Sequence, residues 1–195
     1  MSAIIVRVEP PDNSPLVRAN WDADSLTVSC DIEYTSAPFS DEGRMTLSTE
    51  LDKQFGIAPP NFVLTGGTFS MALDSRKRIV DWDIFTNPTR WSERPLHFAE
   101  ATSATLHIDA AFDENGHGDD MGEPEVIYEP RRGTLYLSWG DAIYWYSIGS
   151  SLALGVTGEN HLAQIRLDGL HVPKPQHLKP RLRDSLRKRF GFGPG

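Results

Sequence analysis

Residues 68–84, TFSMALDSRKRIVDWDI, and residues 151–167, SLALGVTGENHLAQIRL, lie 83 positions apart and share one pattern. Phe69, Met71 and Leu73 match Leu152, Leu154 and Val156, and Val80, Trp82 and Ile84 match Ala163, Ile165 and Leu167. Five turn-like residues, followed by Ile79 or Leu162, lie between the two apolar sets in each copy. Apolar residues at every second position fall on one face of a strand, so each copy reads as a half-buried antiparallel hairpin. The opposite face diverges, since Asp81 and Asp83 become Gln164 and Arg166. Such a pattern keeps one face for packing and leaves the other to change. The equal turn length points to a duplicated β module.

The repeat extends upstream if Trp21, Asp22 and Leu26 to Ser29 (WDADSLTVS) are set against Tyr128, Glu129 and Leu135 to Ser138 (YEPRRGTLYLS), with a two-residue difference in length. Alternation predicts further strands over residues 4–8, 25–34, 105–112, 126–128, 134–139 and 143–148. Residues 35–61, polar and broken by Pro38, Pro59 and Pro60, read as an insertion, and residues 86–100 as a loop or short helix. From residue 178, Leu178, Leu182, Leu186 and Phe190 recur at helical spacing. The expected fold is therefore mainly β, or α+β: two related antiparallel β-meander lobes with a C-terminal amphipathic helix. Residues 1–173 form one β-rich domain of two halves, about 1–100 and 101–173, and residues 174–195 a basic helix and tail.

Within the second half, YEPRRGTLYLSW followed by SLALGVTGENHLAQIRLDGL resembles a family of small bacterial β-meander domains of unknown function, over residues 126–170. That family's signature opens on Tyr-Asp, continues to Leu-Tyr-Ile and closes with a Gly-containing hairpin. Glu129 stands where Asp is usual, and Arg132 replaces a second acid. The resemblance implies a small β meander and no particular activity.

The 195-residue chain is 39% hydrophobic and 24% charged, ordinary values for a globular protein. The opening MSAIIVRVEPP fits neither a secretory signal nor a membrane span, which together with a single cysteine, Cys30, suggests a cytoplasmic protein. No basic neighbour in sequence would activate that thiol. From Lys174 onward seven basic residues accompany one acid, a net charge of +6, which leaves −14 on the first 173 residues. Such an acidic body repels nucleic acid and steers basic partners. Only the tail, through Arg181, Arg183, Arg187, Lys188 and Arg189, suits phosphates, an anionic surface or the protein's own body.

Residues 113–125 are rich in Gly and acids. Asp113, Asn115, Asp119, Asp120 and Glu123 are oxygen donors on a bendable loop, so no cofactor is expected unless calcium binds there. The register is poor, because His117 and Pro124 occupy the fifth and twelfth positions of a calcium-loop template. His97, His107 and His117 have no ligand-like spacing. Ser151 approximates a nucleophile elbow, but a strand pattern follows it where a helix is required. Trp139, Tyr144, Trp145 and Tyr146 cluster, and rings of this kind fill cores or anchor interfaces. Without a coherent catalytic set, interaction is the better expectation than catalysis. The leading reading is a cytosolic bacterial interaction module, an immunity or regulatory protein that binds a basic partner such as a nuclease-type toxin. It would use Asp81, Asp83, Asp119, Asp120, Glu123, Tyr144 and Trp145. The alternative is a ligand- or metal-binding domain, hydrolytic or not, centred on loop 113–125. A third reading is nucleic-acid binding through the tail alone. Monomer and homodimer both stay open.

Overall fold

The computed structural model describes residues 4–12, 14–34, 62–93 and 99–172. The expected C-terminal helix and the whole of the expected insertion, residues 35–61, lie outside these residues. The described chain is mainly β. Its first sheet pairs β2 (Leu16–Asp22), β3 (Thr27–Glu33), β4 (Phe62–Gly66), β5 (Phe69–Leu73) and β6 (Ile79–Phe85) in the order β2-β3-β6-β5-β4. The second lobe repeats that order with β10 (Glu125–Glu129), β11 (Thr134–Ser138), β12 (Tyr144–Ser147), β13 (Leu152–Val156) and β14 (Leu162–Leu167), as β10-β11-β14-β13-β12. Every pairing within these two meanders is antiparallel. Between the lobes, among the described residues, run a 3-10 turn, Pro88–Arg90, and two short strands, β7 (Ser92–Glu93) and β8 (Thr102–Ser103), which flank the second sheet.

The equivalence of the two hairpins extends to hydrogen bonds. Phe69, Met71 and Leu73 pair with Ile84, Trp82 and Ile79, as Leu152, Leu154 and Val156 pair with Leu167, Ile165 and Leu162. Both ladders slip at the same place, between Ala72 and Leu73 and between Gly155 and Val156. Each turn closes with a three-residue bend followed by a left-handed residue, Lys77 (φ 66°) or Asn160 (φ 61°). Each is held from its first residue: Asp74 Oδ1 accepts from the Arg76 and Arg78 amides, and Thr157 Oγ1 from the Glu159 and His161 amides.

The upstream alignment is corrected by two residues. Trp21 and Asp22 pair with Val28 and Thr27, and Tyr128 and Glu129 with Leu135 and Thr134, so the loops have equal length and Leu26 corresponds to Gly133, not Leu135. Both residues are left-handed, at φ 55° and 65°. The strands β2, β4, β7 and β8 were not among those read from alternation.

The sequence boundary between halves is not a spatial one. β1 (Ile5–Glu9) pairs antiparallel with β9 (Thr105–Asp109), with Val6 opposite Ile108. The Val6 amide then donates to Asn160 O in the second lobe's turn, while the Ile108 amide donates to Lys77 O in the first lobe's turn, each at 2.8 Å. Each lobe's leading strand thus docks on the other lobe, and a pseudo-twofold axis passes between Val6 and Ile108. One apolar cluster joins the inner faces, from Val28, Met71 and Trp82 to Leu137, Leu154 and Ile165. Trp91, 5.4 Å from Trp21 and 5.3 Å from Tyr128, bridges equivalent positions of the two sheets.

Candidate functional site

Because the lobes share a ladder, their outer faces can be compared position by position. In the second lobe Ile127, Tyr136, Trp145 and Ala153 form a small buried cluster, packed with Ala99, Ala101 and Ala142. Tyr136 and Trp145 meet edge to face at 5.6 Å. Arg166, 8% exposed, crosses this layer, donating to Ala99 O at 2.9 Å and lying 3.2 Å from the Asp168 carboxylate.

The same positions in the first lobe carry different chemistry. Ser29 pairs with Asn20 and Asp83, and Asp31 pairs with Arg18 and Asp81. Across β6 stand the small residues Ser70 and Ala72. Asp31 and Asp81 are thus directly opposed carboxylates, an arrangement that destabilises a sheet. Arg18 reaches Glu33 at 3.0 Å. Among the described residues no ion pair is made by Asp31, Asp81 or Asp83. Burial, then Asp31 and Asp83, raises the pKa of Asp81, and burial raises that of Asp83. Beneath them Cys30 is fully buried, its thiol pushed up to about 12 by burial and then by Asp31 and Asp81. That thiol is structural.

A second feature is a cleft of about 410 Å³ beside the Pro88–Arg90 turn. Leu26, Ile84, Trp91 and Val126 supply apolar lining, and Phe85, 54% exposed, stands beside them. Asn87, Arg90, Glu123 and Glu125 add polar groups. The equivalent place in the second lobe is closed, because the Leu170 amide donates to Gly133 O and Tyr128 Oη donates to Leu170 O. In the first lobe the amide of Thr86 makes the corresponding bond to Leu26 O, and Asn87 then caps the 3-10 turn and leads the chain away.

The acidic loop runs along the free side of β4. Val63 donates to Gly116 O and accepts from Gly118, and Met121 donates to Thr65 O. Asp113 Oδ1 accepts from the Asn115 and His117 amides, and Asp120 Oδ1 from Gly122, so these carboxylates shape their own turns. These bonds, with that of His117 the largest, lower the Asp113 pKa. Among the described residues no three His, Cys, Asp or Glu side chains are grouped to hold a metal ion. Asp113, Asn115, Asp119, Asp120 and Glu123 therefore lie along one loop without forming such a group, and Glu123 lines the cleft.

The remaining predicted residues separate. Tyr144 is 52% exposed, whereas Trp145, expected alongside it as an anchor, is 9% exposed and inside the second lobe's outer cluster. Neighbouring residues of a strand point to opposite faces, and the second lobe's outer face is covered. His107 is buried, with Nδ1 2.8 Å from Arg76 O; His117 is exposed; His97 lies outside the described residues. Ser151 leads into strand β13. Arg181, Arg183, Arg187, Lys188 and Arg189 lie outside the described residues. Sequence reasoning passed over Asp31, Phe85, Arg90 and Trp91. The sign that would have found Asp31 is its place two residues before Glu33 and one after Cys30, on the outward parity of an alternating strand. Among the described residues no helix is long and apolar enough to cross a membrane. Comparison with models of known protein families and with curated proteins finds no match for this chain.

Proposed function

We propose that this protein is a binding module that receives a basic protein partner on the outer face of its first lobe. The observation that carries the reading is the opposed pair Asp31 and Asp81, with Asp83 alongside. Three carboxylates are kept on a face where the duplicated lobe has Ser138, Gln164 and Arg166. A sheet that retains like charges side by side gives up stability, and a cation supplied from outside recovers it. The net charge of −14 on residues 1–173 adds long-range attraction for such a partner. A nuclease-type toxin, with its phosphate-binding cations, has this character, and an immunity or regulatory role follows from blocking it.

The test is capture from the native lysate at low and moderate salt, with the wild-type chain and an Asp31→Asn/Asp81→Asn/Asp83→Asn variant. The wild type retains a stoichiometric basic protein that the variant releases. Equal retention by both would remove this face from the interaction.

A second reading, ligand binding, is favoured by the cleft. Its mix of aromatic, apolar and oppositely charged groups suits a small zwitterionic or amphipathic molecule. Under this reading, a ligand that raises the melting temperature of the wild type fails to do so with Phe85→Ala/Arg90→Ala, and the acidic-face variant keeps the response.

A further inference from the structure

The two five-stranded meanders of this molecule have four outer edges, and among the described residues three are closed from within the chain. β10 is covered by β7, in parallel, with Ile127 opposite Ser92 and Tyr128 opposite Glu93. β12 is covered by β8, in parallel, with Tyr146 opposite Thr102. β4 is covered by the acidic loop, through the parallel bridge of Val63 and His117. The fourth edge is β2, and among the described residues it pairs with β3 alone.

β2 is seven residues long, LVRANWD, with no proline or glycine. Long uncovered edges are templates for another strand, and proteins ordinarily shorten, break or cover them. The core-facing side of β2 presents Val17, Ala19 and Trp21, opposite Ile32, Cys30 and Val28. Val17 and Trp21 are half-buried, but Ala19 is exposed on this core-facing side. The row therefore has a gap in its middle, flanked by two larger apolar groups.

We propose that a second copy of this chain closes the edge, β2 pairing antiparallel with β2 of its partner about an axis at Ala19. That register is self-complementary. It sets Val17 opposite Trp21 of the other copy twice over, and the bulk of those side chains flanks the gap at Ala19. On the other face Arg18 stands opposite Asn20 of the other copy, with Asp22 and Arg18 of that copy on its two diagonals, so opposite and like charges balance there and the apolar row carries the register. The two five-stranded sheets would become one continuous ten-stranded sheet by an isologous contact. A single strand pair buries less than the roughly 1,200–2,000 Å² of a stable standard interface, so the expected dimer is a reversible one.

Sedimentation across a concentration series tests this with the wild type, two full-length variants and their equimolar mixture, and a chain lacking residues 173–195. The wild type self-associates. Ala19→Lys and Ala19→Glu, each placing like charges across the axis, are separately monomeric at concentrations where the wild type is dimeric, with a dissociation constant raised at least about tenfold for the like-charged pair. An equimolar mixture of the two variants recovers the dimer, an outcome that loss of folding would not give. A wild type that stays monomeric throughout, or self-association that neither substitution changes, overturns the proposal. So does a monomer that dimerises only after residues 173–195 are removed, which would mean that the chain covers its own edge.

Discussion

Asp81 faces Asp31 across one strand pair and Ala72 across the other, so its carboxylate has like charge on one side and a methyl group on the other. Its raised pKa means that the folded protein holds this proton more tightly than the unfolded chain does. The associated stability is therefore fully present below the unfolded value near 3.8 and is lost as the pH rises through the higher folded value. Asp81→Asn removes the repulsion without changing shape. At neutral pH it stabilises the fold by roughly 0.2–1 kcal/mol, the scale of one cross-strand charge pair, and it flattens the stability profile above pH 4. Urea melts of both proteins at pH 4 and pH 7 check the sign: the gain should be larger at pH 7. Cys30 offers a reporter for the same experiments, because its buried, protonated thiol should react with a disulfide reagent only after the first lobe unfolds.

At the scale of elements, the two lobes build the same turns from different residues. Asp74 anchors the first β5–β6 turn with a carboxylate that accepts from two amides and also meets Arg78 at 2.7 Å, whereas Thr157 holds the second with a hydroxyl. Asp74→Ala should cost about 2–3 kcal/mol, and Thr157→Ala about 1 kcal/mol, the difference reflecting a charged acceptor in a partly buried pair. The β10–β11 turn depends instead on Gly133, where the backbone is left-handed and a Cβ would sit 2.6 Å from Leu170 O. Gly133→Ala should destabilise by about 2 kcal/mol or more, since strain and contact act together. Leu26 tolerates the same backbone in the first lobe because the chain there turns away at Asn87. The acidic loop, with Asp113 and Asp120 committed to their own backbone, should melt at one temperature with calcium or chelator; a shift of several degrees would restore it as a cation site.

These turns also explain what was legible in sequence. The β5–β6 and β13–β14 hairpins could be aligned because their apolar alternation and five-residue spacers survive together. The β2–β3 and β10–β11 hairpins could not be registered, because Leu26 mimics a strand residue while occupying a left-handed turn. Alternation likewise missed β2, whose exposed edge carries Arg18, Ala19 and Asn20, and β7 and β8, each two residues long. The expected charged face at Asp81 and Asp83 follows from parity alone. That Trp145 lies under cover and Tyr144 does not follows from the approach of residues 99–101, a long-range contact with no local signature.

For the whole molecule, the crossing of β1 and β9 decides how it unfolds. Each lobe's leading strand docks on the other lobe's turn, and the inner faces share one apolar cluster that spans both meanders. Two lobes joined only by a linker would melt separately; lobes that share a core in this way should melt as one unit. Ile108 is fully buried on the pseudo-twofold axis, opposite Val6, which is 1% exposed. Truncating either side chain removes packing from both lobes at once. Ile108→Ala should cost about 2–4 kcal/mol, and Val6→Ala somewhat less, in a transition that stays single. Native-state hydrogen exchange resolves the two alternatives. With the lobes coupled through this pair, the amides of Trp82 in the first lobe and Ile165 in the second lose protection by the same amount in either variant. Loss confined to one lobe would mean that β1 and β9 are decoration on two independent meanders, and that the axis between Val6 and Ile108 has no energetic content.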